Sequence, residues 1–141
     1  MNVETILGSK GRDVLTIPLD ASVLDASNNL SSRKIGALVV NHDGETALGI
    51  LSERDIAIGM SDSAVLSETV DSLMTSDLRT CALDDTMHEV LSVMTERRFR
   101  HLPVIEDGKL CGIVSIGDVV KSRLDEFTRE ADAMREYITS N

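Results

Sequence analysis

The chain of 141 residues contains the same pattern twice. Setting Asp43-Gly44 on Asp107-Gly108 gives an offset of 64, which also superposes Asp13 on Asp77, Thr16 on Thr80, Leu19-Asp20 on Leu83-Asp84, Arg33 on Arg97 and Val40 on Val104. Beyond that turn one extra residue in the first copy resets the offset to 63, and Gly49, Ile50, Ser52 and Asp55 fall on Gly112, Ile113, Ser115 and Asp118. Insertions are best tolerated in turns, so many identities broken by a single slip at a turn mark an internal duplication. Any fold for this chain is therefore built from two like units.

Each unit reads as helix, strand, helix, strand, strand, helix. Asn2 can cap a helix over residues 3–7 and Ser67 a counterpart over 70–74. Residues 8–12, with two glycines and two cations, read as a loop, and brief strands follow at 14–17 and 78–81. Asp20 and Asp84 are candidate N-caps for amphipathic helices whose stripes are Val23, Ala26, Ser27, Leu30 and Met87, Val90, Leu91, Met94. Methionine in such a stripe reads as core filler. Apolar strands at 37–40 and 102–105 lead into the two Asp-Gly turns and return at 48–51 and 111–114. Strands this apolar need cover on both faces. A polar segment at 59–68 joins the copies. The boundaries expected are 1–66 for the first repeat and linker, 67–125 for the second, and 126–141 for a helical extension.

Composition excludes several classes of function. Phe99, Phe127 and Tyr137 are the whole aromatic supply, too little for a base-stacking platform. A net charge of −10 argues against nucleic acid or an anionic membrane as the main partner. Cys81 and Cys111 lie outside any CxxC or Cys/His spacing and read as buried, reduced thiols. With no leader pattern and no apolar run near the ~18 residues of a membrane span, the expectation is a soluble, cytoplasmic protein. His42 lies beside a turn and His88 on a polar helix face. No Ser/His/Asp or Cys/His set, P-loop or metal-ligand spacing is present, so an enzyme is not expected.

The residues that can carry chemistry sit where strand meets helix. Ser52 and Asp55, and again Ser115 and Asp118, place a hydroxyl at a strand end and a carboxylate in the first helical turn. Capping and dipole compensation explain such a pair. The same geometry can hold a nucleoside, the carboxylate accepting from ribose hydroxyls while hydroxyl and free N–H groups face a phosphate. Arg54 adds a cation to the first pair. Arg97, Arg98, Arg100 and His101 form a basic cluster, of which Arg100 and His101 directly precede an apolar strand and could meet a phosphate at its entrance. The first copy has Gly36 and Ala37 in those places, so the two copies are chemically unequal.

These residues resemble the tandem cystathionine-β-synthase (CBS) domain pair, or Bateman module. The likeness rests on Gly49 to Asp55, on Gly112 to Asp118, and on Arg100-His101-Leu102-Pro103-Val104, and spans about Val3 to Leu124. The resemblance implies an α/β (α+β) fold: one compact module of two pseudo-twofold repeats, each a small mixed sheet with flanking helices. It implies clefts for adenosine-containing ligands (AMP, ADP, ATP, NAD or, less favoured, S-adenosylmethionine) and a regulatory role exerted on an unidentified partner protein. By position, Asp55 and Asp118 would hold ribose, Ser52 and Ser115 would lie near ribose or phosphate, and Arg100 with His101 would contact phosphate. Thr16, Ile17, Pro18 and Thr80, Cys81, Ala82 match segments that line the adenine, as do Ile35, Gly36, Ala37 and Phe99. The alternative is a structural oligomerisation module with vestigial clefts.

Beyond Leu124 the chain stays helix-favouring. Val120, Leu124, Phe127, Ala131, Met134 and Ile138 recur in steps of four and three, a narrow apolar seam. That seam either folds back on its own module or, as favoured here, packs on a second subunit to make a homodimer, the family's common arrangement.

Overall fold

Two amphipathic helices set the frame of the computed structural model, which describes residues 1–140. Helix α2 (Val23–Arg33) buries Val23, Ala26 and Leu30, and its counterpart α5 (Met87–Arg97) buries Met87, Val90 and Met94. Their caps are not the aspartates expected but Ser22 and Thr86, two residues further on, whose hydroxyls accept the backbone N–H of Asp25 at 3.0 Å and of Glu89 at 3.1 Å. Each helix ends on a left-handed residue, Lys34 (φ 54°) and Arg98 (φ 60°), which turns the chain toward the next strand.

The first repeat forms a three-stranded sheet in the order β1 (Thr16–Ile17), β2 (Ala37–Val40), β3 (Gly49–Ser52), with β1 parallel and β3 antiparallel to β2. The second retains only the hairpin of β4 (His101–Glu106) and β5 (Lys109–Ser115). The strand expected over 78–81 is reduced to a single parallel bridge from Cys81 to Val104. Proline explains the loss. In the first copy Val39 N–H donates to the Leu15 carbonyl and Asn41 N–H to that of Ile17. In the second, Ile105 N–H reaches the Cys81 carbonyl, but Pro103 stands where Val39 does and has no N–H to give. The hairpin turns differ as well: Asp107 (φ 52°) and Gly108 (φ 77°) make a tight primed turn, whereas the Asp43 carboxylate ties a longer loop by accepting the N–H groups of Glu45 and Thr46.

The two halves exchange their entry helices. Helix α1 (Val3–Lys10), capped by Asn2, contributes Val3, Ile6 and Leu7 to the core that holds Met87, Val90, Leu102 and Val114 of the second repeat. Helix α4 (Val70–Leu73) contributes Val70 to the core of Val23, Leu38 and Leu51 in the first. The backbone bonds are symmetric: Val3 and Glu4 donate to Asp85 and Leu83, and Val70 and Asp71 donate to Ala21 and Leu19. Glycine permits the close approach at both docking points, since a Cβ on Gly112 would lie 2.7 Å from Leu7 Cδ1 and one on Gly49 against Met74 Sδ. Helix α1 also runs on through residues expected to be a loop. At α4 the cap position is Thr69 rather than Ser67, and no side chain closes it.

Helix α3 (Glu53–Gly59) follows β3, and a short 3-10 turn (Ser63–Ser67) leads to α4. Helix α6 (Ile116–Thr139) follows β5 without a break across the boundary expected near residue 125. It buries Val119 and Ser122, but Val120, Leu124, Phe127, Met134 and Ile138 are each more than half exposed. The seam does not fold back on its own module.

Candidate functional site

Both strand-to-helix junctions close a capping box. Ser52 Oγ accepts the Asp55 N–H at 3.1 Å while Asp55 Oδ2 accepts the Ser52 N–H at 3.0 Å, and Ser115 and Asp118 repeat this at 3.1 and 2.8 Å. The capping reading is thus realised at both sites. It uses one bond of a carboxylate that can accept about four, and both carboxylates also line clefts.

A cleft of about 490 Å³ joins Ser52, Arg54 and Asp55 of the first repeat to Arg98, Phe99, Arg100 and His101 of the second. A second, of about 760 Å³, joins Ile35, Gly36 and Ala37 of the first repeat to Ser115 and Asp118 of the second. Each cleft therefore draws on both halves, and each carboxylate faces the strand entrance of the other repeat. Gly36, His101 and Ser115 line both clefts. His101 can lie on that shared wall because Gly36 has no side chain: a Cβ there would stand 3.1 Å from His101 Nε2. Burial, reinforced by Lys10, moves the imidazole below its ordinary range and keeps it neutral at pH 7.

The structure does not bring every sequence candidate to these clefts. Ile17 and Cys81 turn inward and are core residues: Ile17 alternates with exposed Thr16 along β1, and Cys81, bridged to Val104, occupies the matching place in the second repeat. Burial and nearby Asp85 push the Cys81 thiol up to about 12, which makes it inert. Cys111, expected to be buried, is only partly so; neither thiol is in a disulfide. Thr16, Pro18, Thr80 and Ala82 are likewise not among the residues lining either cleft; Val14 and Leu15, just before β1, line the larger one instead.

The residue that sequence reasoning missed is Lys10. Its Nζ lies 2.6 Å from Asp118 Oδ2 and 2.8 Å from the Ile113 carbonyl oxygen. Burial raises the cost of ionising Asp118, but the bonds from Lys10 and Ser115 outweigh it and hold the carboxyl below its usual range. The signal was a helix lengthened by one turn, hidden by its two glycines. Among the described residues there is no His/Cys/Asp/Glu group able to hold a metal, and no helix is long and apolar enough to cross a membrane.

A duplicated α/β module with paired clefts between its halves is a recognisable class. The CBS domain family model matches residues 9–62 and 70–125, and the chain belongs to the CBS-domain family. The CBS-domain containing protein ATU1752 from Agrobacterium tumefaciens is similar in structure, with a TM-score of 0.84 and 42% identity over 87% of this chain and 99% of that one. The mitochondrial CBS domain-containing protein CBSX3 of Arabidopsis thaliana is 33% identical across 96% of this chain and 71% of its own length. The CBS domain pair of protein MJ0100, solved in complex with 5′-methylthioadenosine and S-adenosyl-L-methionine, superposes with a TM-score of 0.77 at 25% identity, covering 88% of this chain and 98% of that one.

Proposed function

We propose that this protein is a non-enzymatic sensor that binds adenosine-containing ligands in its two clefts and passes their occupancy to a partner protein. One observation carries the reading: a carboxylate at a helix N-terminus, twice, each in a cleft whose opposite wall comes from the other repeat. Ribose hydroxyls can donate to Asp55 or Asp118, and a phosphate can meet the free N–H groups of that helix end together with Arg54, Arg98 and Arg100 in one cleft or Lys10, Arg33 and Lys34 in the other. The adenosine ligands bound to the MJ0100 domain pair support the same chemistry. AMP, ATP and NAD are the ligands favoured here, because cations outnumber anions in both linings.

Thermal denaturation with AMP, ADP, ATP, NAD and S-adenosylmethionine tests this. A ligand at about 100 times its dissociation constant adds about 2.7 kcal/mol to stability, so at least one of the five raises the melting temperature by several degrees. If none does, the clefts are vestigial and the module is structural.

The exposed seam of α6 favours a homodimer. Five large apolar side chains facing water on one stripe are costly to leave uncovered, and a second copy supplies a matching stripe. Sedimentation is expected to find a dimer at micromolar concentration and a shift toward monomer when the chain is cut after Glu126. A dimer unchanged by that cut removes the tail from its cause.

A further inference from the structure

The two clefts are not equivalent, and the difference is Lys10. At the first repeat's sheet the Ile50 carbonyl oxygen accepts the main-chain N–H of Thr75, just beyond α4, at 2.8 Å. At the second, the equivalent carbonyl, that of Ile113, accepts from the Lys10 ammonium instead. Helix α1 has eight residues where α4 has four. Its last turn therefore carries a flexible cation to the point where the symmetric chain has only backbone, and within reach of Asp118.

This has a direct effect on what each carboxylate can accept. Asp118 Oδ2 already takes the Ser115 N–H at 2.8 Å and the Lys10 ammonium at 2.6 Å, in a pair whose side chains are only 23% and 33% exposed. Asp55 has the matching Ser52 N–H and, among the described residues, no ion pair. A ribose that approaches Asp55 meets an open acceptor. One that approaches Asp118 has only Oδ1 clear and must compete with an ammonium for Oδ2; once released, that ammonium lies near Arg33, Lys34 and the neutral His101, with Asp13 the remaining carboxylate in the lining. A bare nucleoside gives that cation no new partner, whereas a phosphate does.

We propose that Lys10 makes the Asp118 cleft selective for phosphorylated adenosine ligands, by holding the carboxylate until an anion is present to take the ammonium, while the Asp55 cleft is open to uncharged ones. This rests on the adenosine-sensing function proposed above and assigns a ligand class to each of its clefts. It also makes Lys10 a specificity-determining residue that reports occupancy to α1, the helix on which the second repeat's core depends.

Calorimetric titration of the full chain with AMP and with adenosine decides the matter. The comparison is made in an Asp55→Ala background, so that the Asp118 cleft is observed alone. AMP is expected to bind about ten- to a hundredfold more tightly than adenosine, the range for one hydrogen bond to a charged group. Adding Lys10→Met, which keeps the stem and removes the charge, should collapse that ratio by tightening adenosine and weakening AMP, and Lys10→Arg should retain a preference for AMP. An AMP-to-adenosine ratio that Lys10→Met leaves unchanged, in protein that still binds AMP, overturns the role of Lys10 and spares the sensing function. Binding of neither ligand in the unsubstituted chain overturns the ligand classes assigned to the two clefts, and the sensing function then falls only if ADP, ATP, NAD and S-adenosylmethionine also leave the melting temperature unchanged.

Discussion

Leu7→Ala is expected to destabilise the whole module by about 2–5 kcal/mol, the range for deleting a fully buried leucine, although Leu7 precedes either repeat's sheet by sequence. Its side chain is 1% exposed and lies over Gly112 at the centre of the second repeat's hairpin. Against a typical domain stability of about 5–15 kcal/mol, this is among the largest effects one substitution can have here. Urea denaturation gives the loss directly, and amide exchange locates it: protection should fall in β4 and β5, about 100 residues away in sequence, as well as in α1. A loss below about 0.5 kcal/mol, the level of an ordinary surface substitution, would mean that α1 does not complete that core.

Asp55→Ala should weaken adenosine-ligand binding in its own cleft by about ten- to a hundredfold, since it removes an ionised acceptor of ribose hydroxyls. The cost to the fold should be small, because a capping interaction is worth about 0.5–2 kcal/mol and the Ser52 hydroxyl still accepts the backbone N–H of residue 55. Titration with adenosine in the Lys10-bearing chain isolates this site, as the Asp118 cleft is held by its cation. Affinity equal to that of the unsubstituted protein would return Asp55 to a purely capping role.

Much of this architecture was legible because duplication lets each half check the other. The hairpins and the buried stripes of α2 and α5 follow from periodicity that occurs twice. The caps were misplaced because Asp20 and Ser22, and Asp84 and Thr86, are both good capping types two residues apart. Which one serves is decided by where the chain enters the entry helix of the other half: Asn2 bridges to Thr86, and Thr69 to Ser22. The exchange itself leaves no trace in a pattern of apolar residues, since an amphipathic helix looks the same whichever core it covers. Lys10 was hidden for a related reason. Its glycine neighbours argued for a loop, but docking through Val3, Ile6 and Leu7 stabilises a helix that local propensity disfavours. The shortened first strand of the second repeat, by contrast, could have been read from Pro103 alone.

Helix α6 joins two places that are far apart. Its first turn holds Asp118, and its last lies beyond every core residue of the module. At about 1.5 Å per residue its 24 residues reach about 36 Å, so a tilt of about 5° at the capping box sweeps the far end through about 3 Å. Val119 anchors the helix one residue beyond Asp118, so a short end lies at the cleft and a long end carries the apolar stripe proposed to meet a second copy. Were the helix to pivot there, a displacement smaller than a hydrogen-bond length at Asp118 would become, at Met134 and Ile138, a shift comparable to the width of a side chain.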